Sequence, residues 1–183
     1  MTPEQLVEQC RNGVHLLHES HYMASKRYEA VSRLLGLIVV LLSAAAGATV
    51  LQGLPADAQA KLVLTTGFTA FGASALAAVQ TFLAYPALAE QHRIAAHRYG
   101  ELRREFERLL VFLNCEKNLE PRIAELQIRW DEADRASPTV PQHIIRKAPK
   151  RIAKRRQKLS AARMKTATDE PPNLDIPAVT AKK

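Results

Sequence analysis

The chain has 183 residues, a formal net charge of +8 and a mean hydropathy of −0.16, with 47% hydrophobic and 24% charged residues. Those averages suit a one-domain soluble protein, yet no charge falls between Leu34 and Ala56 or between Leu62 and Ala89. The two stretches cover 23 and 28 residues, and a membrane span needs roughly 20, which excludes an ordinary soluble enzyme and points to a small membrane protein. Seven glycines and a 5% aromatic share also argue against a β-rich fold.

The first 33 residues carry Glu4, Glu8, Glu19 and Glu29 among their bases and no apolar run. No cleavable signal peptide is expected there, so the first apolar segment would act as an uncleaved anchor. Within this region Val14, Leu17, His21, Ala24, Tyr28, Val31, Leu35 and Ile38 recur at alternating steps of three and four. That is a coiled-coil seam running into the first span. Residues Leu34 to Leu51 include ten Leu, Ile or Val, which favour insertion by roughly 3–6 kcal/mol.

A turn from Gln52 to Ala60 follows, with Pro55 and a single charge at Asp57. The second apolar stretch is more polar, with Thr65, Thr66, Thr69, Ser74, Gln80 and Thr81. The spans are placed at about residues 34–54 and 62–85. After them a second seam, Leu88, His92, Ala95, Tyr99, Leu102, Phe106, Leu109 and Leu113, is expected to run on from the membrane helix without a break. The fold expected is therefore all-α, a two-span hairpin extended below the bilayer as an antiparallel stalk. A break at Asn114–Asn118 should precede a further helix with Pro121 in its first turn and Ile123, Leu126, Trp130 and Ala133 along one face. Ser137-Pro138 should end it, and Pro141 should keep the chain extended.

Ten bases and no acid lie between Gln142 and Lys165. Elsewhere sixteen bases face eighteen acids, so the basic character is local. Arg146, Lys147, Lys150, Arg151, Lys154, Arg155, Arg156 and Lys158 are candidate contacts to an anionic surface, either lipid headgroups or nucleic acid. Ile145, Ala148, Ile152 and Leu159 offer a thin apolar strip, and Pro149 should interrupt the segment. From Thr166 to Lys183 the composition is that of a disordered tail. Lys26, Arg27 and Arg33 precede the first span and Arg93, Arg98, Arg103 and Arg104 follow the second, whereas Gln52 to Ala60 has no base. The positive-inside rule then puts both termini in the cytoplasm. Cys10 and Cys115 would there be reduced, buried thiols.

The order of these pieces resembles the SLATT domain, a bacterial two-transmembrane effector module of nucleotide-signalling conflict systems. The resemblance covers about Val14 to Pro141. It rests on LGLIVVLLSAAAG in the first span, on FLAYPALAEQHRIAAHRYGELRREFERL leaving the second, and on the closing SPTVP. Its most specific positions are Pro86, His92, Tyr99, Leu102, Pro138 and Pro141. Residues 1–141 would then form the SLATT-like domain, followed by the basic segment 142–165 and the tail 166–183. The resemblance implies an oligomeric pore-forming effector of antiviral defence at the bacterial inner membrane. Such an effector permeabilises the membrane and kills or arrests the infected cell, as in abortive infection. It also implies a separately encoded sensor or nucleotide-signal-producing protein, because the chain carries no fused sensor domain and its basic tail lies outside the match.

Two features inside the spans bear on that expectation. Thr66, Thr69, Ala73, Ala77 and Gln80 fall within about 80° of one another on a helix, opposite Leu64, Phe68, Phe71, Ala75, Val79 and Phe82. The stripe suits either close helix packing or the wall of a water-filled path. Ser43-x-x-x-Gly47 and Ala44-x-x-x-Ala48 allow close backbone approach, within one chain or between chains.

The six histidines, among them His15, His18, His21, His92 and His97, complete no tetrahedral ligand set with Cys or carboxylates. No metal or other cofactor is expected. His21 and His92 lie on the seams, where packing or pH sensing is open to them. Glu101 and Glu105 beside Arg104 and Arg108 read as pairing along a solvated helix. No glycine-rich phosphate loop or nucleophile elbow is present, so no enzyme activity is expected. The alternative to a lipid-breaching homo-oligomer is an anchored coiled-coil scaffold that recruits a partner or nucleic acid through the basic tail.

Overall fold

A computed structural model describes the backbone of residues 2–51, 56–113 and 118–168, and the side chains of these outside 49–62 and 165–168. The described residues are all-helical, with no strand. Helix α1 runs unbroken over Pro3–Leu51, α2 over Ala56–Leu83, α3 over Tyr85–Val111, α4 over Leu119–Ala136, α5 over Gln142–Ile145 and α6 over Ala148–Thr168. The chain divides into two compact units, Met1–Ala148 and Pro149–Lys183.

Among the described residues two helices are long and apolar enough to cross a membrane, α1 and the stretch that begins with α2. The turn between them is shorter than the nine residues expected. Ala56 to Ala60 are already helical, because nothing in ADAQA opposes a helix start, and Gln52–Pro55 lie outside the described residues.

The second seam does not run unbroken from the apolar helix. Ala84 adopts φ 43° and ψ 38°, the left-handed region, and separates α2 from α3. The cause is Pro86 in the first turn of α3. Its ring would collide with the carbonyl four residues back, and it has no N–H to donate. The Ala84 carbonyl instead accepts from the N–H groups of Ala87 at 2.9 Å and Leu88 at 3.2 Å, starting a new helix.

Helix α3 lies antiparallel to α1 and closes a core with α4 from Val7, Cys10, Val14, Ala95, Tyr99, Leu102, Phe106, Leu109, Ile123, Leu126 and Ala133. Cys10 is buried here, and Cys115 lies outside the described residues. Gly13 on α1 faces the Trp130 ring on α4. Glu105 does not pair along its own helix. Its Oε2 accepts from Arg129 Nη1 at 2.6 Å and lies 3.5 Å from Arg122 Nη2, joining α3 to α4.

Ser137 caps α4 in an extended conformation, and Pro141 at φ −59° and ψ 133° keeps the strap extended. Between Pro138 and Pro141, Val140 drops into a second small core with Ala24 and Ile144, against Met23 and Tyr28. The basic segment breaks earlier than expected, in a turn at Arg146–Lys147, and Pro149 lies in the first turn of α6. There its missing N–H costs nothing. Ala148 is fully buried and so is no part of an exposed strip, whereas Leu159 is exposed. Thr166 to Thr168 belong to α6, and residues 169–183 of the expected tail lie outside the described residues.

Candidate functional site

The hairpin of α1 and α2 presents an outer apolar face. Leu34, Leu37, Val40 and Leu41 on α1 and Val63, Leu64, Phe68, Phe71, Val79 and Phe82 on α2 are exposed, Phe82 to 88%. Side chains of this kind find no favourable solvent in water but suit hydrocarbon. The polar stripe of α2 lies on the opposite side. Thr66, Thr69, Ala77 and Gln80 are half-buried and Ala73 is buried, all turned toward α1.

Small residues let the two backbones approach. A groove between the helices is lined by Val39, Ser43, Ala46, Ala70, Ala73, Ser74 and Ala77. A Cβ on Gly36 would lie 3.7 Å from Gln80 Nε2. The stripe is therefore occupied by helix packing in the single chain. The hydroxyl of Thr69 is satisfied within α2, donating to the carbonyls of Thr65 and Thr66 at 3.0 and 2.9 Å. Among the described residues nothing lies within 4 Å of a Cβ on Gly47, and Ala44 and Ala48 are exposed, so of the two small-residue motifs Ser43 is the member that lines the groove with α2.

Just outside the apolar region, α1 and α3 meet through rings. Tyr85, the first residue of α3, stacks on Tyr28 of α1 at 5.9 Å between centroids, and Tyr28 stacks on His92 at 5.4 Å. His92 lies 5.1 Å from His21, which stacks on Tyr99 at 5.2 Å. The Tyr99 hydroxyl donates to Asp134 Oδ1 on α4 at 2.6 Å. Five rings and one carboxylate thus join the Ala84 break to the last turn of α4. Two of the rings also bond directly, His21 Nδ1 to His92 Nδ1 at 3.0 Å, buried to 2% and 1% exposure. Beside them His18 Nδ1 bonds the Ala96 carbonyl oxygen at 2.7 Å, and Gly100 leaves room for its ring.

This environment disfavours the charged forms of His21 and His92. Burial, and then the neighbouring His92, lowers His21 to about 4, and burial also holds His92 below the usual range. Burial and the hydrogen bond to Asp134 push the Tyr99 phenol above its ordinary range. Among the described residues no group of three or more His, Cys, Asp or Glu is placed to hold a metal ion.

The remaining sequence candidates fall in three places. His92, Tyr99 and Leu102 lie together on the buried face of α3, whereas Pro86 is exposed at its start. Pro138 and Pro141 bracket the buried Val140 of the strap. Arg146 and Lys147 are exposed in the turn before α6, which carries Lys150, Arg151, Lys154, Arg155, Arg156 and Lys158 exposed along its length.

Sequence reasoning missed Tyr85 and the part played by Ala84 and His18. Proline in the first turn of α3 was the available signal for the break, and the partners of a ring follow only from the antiparallel register. No family model, curated protein or solved structure matches the chain in comparisons with known proteins.

Proposed function

We propose that the chain is an effector of the bacterial inner membrane that assembles into homo-oligomers and, once triggered, breaches the bilayer. In this reading α1 and α2 span the membrane and both termini face the cytoplasm. The observation that carries it is the pair of long apolar helices whose outward side chains are exposed, set on a polar bundle that has its own buried core around Val14, Tyr99, Phe106 and Leu126. The resemblance to SLATT effectors supports the same reading and implies a separate sensor or nucleotide-signal-producing partner. A single hairpin cannot enclose a channel, so conduction needs several copies.

The packed stripe adds a condition. Ala73 is 6% exposed in the single chain. Thr66, Thr69, Ala77 and Gln80 are only half-buried, so it is Ala73, in the middle of the stripe, that would be opened to water if α2 moved away from α1 on assembly. Gln80→Leu keeps the volume and removes the costliest polar group, so it should reduce dye leakage from reconstituted liposomes while insertion persists. Phe71→Leu, on the exposed face, should leak like the parent. Full leakage from Gln80→Leu with unchanged oligomers would remove the stripe as a pore wall. A second reading, an anchored scaffold, rests on the exposed bases of α6 and predicts oligomers that never leak.

A further inference from the structure

We propose that the His21–His92 pair is a latch on the contact between α1 and α3, closed while both rings are neutral and released as the pair takes up protons. The inference goes beyond the effector reading. It concerns one helix contact, which is measurable whether or not the chain breaches a membrane.

The geometry sets the chemistry. Two Nδ1 atoms 3.0 Å apart form a hydrogen bond only when one ring donates and the other accepts. A first proton, on the outer nitrogen of the donor ring, leaves that bond intact but puts an imidazolium among stacked rings and apolar side chains. A second proton turns the acceptor into a donor, and two N–H groups of like charge then face each other. Among the described residues no other hydrogen-bond partner is found for these two atoms.

Among the described residues the surroundings offer a cation two tyrosine faces but no carboxylate bonded to either ring. On α1 the neighbours are Tyr28 and His18, the latter committed to the Ala96 carbonyl oxygen. On α3 they are Tyr99 and, beyond Tyr28, Tyr85. From α4, Asp134 is held by the Tyr99 hydroxyl rather than by either histidine. From α5, His143 meets Arg27 instead. Glu19, though buried, lies about 160° around α1 from His21. Lys26, Glu29, Arg33, Glu90 and Arg93 pair among themselves on the exposed rim. Among the described residues, neither ring of the pair bonds a carboxylate.

Linkage gives the direction and size. His21 titrates at about 4 in the closed contact, against 6.5 for a free histidine. The closed state is therefore fully favoured above 6.5 and loses ground as pH falls from there toward 4. From His21 alone, the open-to-closed ratio should rise about 4-fold by pH 6 and about 30-fold by pH 5, relative to pH 7.5. His92 adds in the same direction.

The test is thiol reactivity in the full-length protein in lipid nanodiscs, with Cys10→Ala and Cys115→Ala as background. Ala95 is buried at 2% on the α1-facing side of α3, and Ala87 is exposed on the same helix. The alkylation rate at Ala95→Cys divided by that at Ala87→Cys cancels the pH dependence of the thiol and reports opening. The ratio should rise about 30-fold from pH 7.5 to pH 5. In the His21→Asn/His92→Asn double variant, which can still bond but does not titrate here, it should stay flat. A flat ratio in the parent, or an equal rise in the double variant, overturns the latch. Should the double variant not fold, NMR titration of the parent's histidines decides: His21 and His92 both titrating near 6.5 in the closed protein would overturn it too.

Discussion

Gly13→Ala tests whether α4 is held on α1 by shape. Gly13 lies inside α1, where glycine is worth about 1 kcal/mol less than alanine. On propensity alone the substitution stabilises. A Cβ there would, however, lie 2.8 Å from Trp130 Cη2 and 3.3 Å from Cζ2, whereas carbons settle at about 3.5–4.0 Å. The indole must retreat by most of an ångström from a site where it packs against the main core. Overpacking of that kind costs about 1–3 kcal/mol, so the net expectation is a loss of ~1 kcal/mol. With Trp130→Ala in place the collision is gone and Gly13→Ala should stabilise by ~1 kcal/mol. The double-mutant cycle should therefore show a coupling of about 1–3 kcal/mol. Chemical denaturation in detergent, followed by far-ultraviolet circular dichroism, measures all four proteins, since Trp130 is the sole tryptophan. Equal stabilisation by Gly13→Ala with and without the indole would refute the close contact.

Three further changes probe other parts of the molecule. Tyr99→Phe removes the 2.6 Å bond to Asp134; the carboxylate is exposed and regains water, so the loss should be ~1 kcal/mol in the same denaturation assay. Ala84→Gly should stabilise by about 1 kcal/mol, because glycine takes the left-handed conformation without a Cβ penalty; a lower melting temperature would argue that the break is not left-handed. The exposed bases of α6 should draw the protein onto anionic vesicles at low salt and release it at high salt, at about 1 kcal/mol per base; salt-independent binding in flotation would refute an electrostatic contact.

Much of this architecture was legible from the chain. Charge-free runs of 23 and 28 residues have few folded solutions, and the heptad seams placed Val14, Ala95, Tyr99 and Phe106 in the core where they lie. What was missed depends on partners rather than on periodicity. Pairing rules along one helix see Glu105 beside Arg108, whereas the structure turns Glu105 across to Arg122 and Arg129. Seam positions identify His21 and His92 as inward-facing, but only the register of α1 against α3 brings their Nδ1 atoms together. The interruption at Ala84 came from Pro86 two residues on, a steric effect that an apolar count passes over. Likewise Pro149 read as a breaker, although a proline in the first turn starts a helix as readily as it ends one.

The break changes how motion can pass through the chain. Helix α1 has 49 residues without interruption, about 74 Å at 1.5 Å per residue, and is thus one strut shared by the apolar hairpin and the polar bundle. Its partner is not one strut but two, α2 and α3, joined at Ala84. Had they been continuous, any tilt of the apolar helix would have levered α3 off α1 and opened the core at Tyr99, Leu102 and Phe106. A single left-handed residue separates them, so in the effector reading α2 would leave α1 at Ala73 and Gln80 while α3 and α4 stayed packed. The Tyr85–Tyr28 stack, placed immediately after the break, is then the first contact that a moving α2 would strain. The Tyr28–His92 stack follows, and then the histidine pair. In that reading, rearrangement in the apolar region and stability of the bundle would be separate quantities, and the stacked rings beside Ala84 would set how far one reaches into the other.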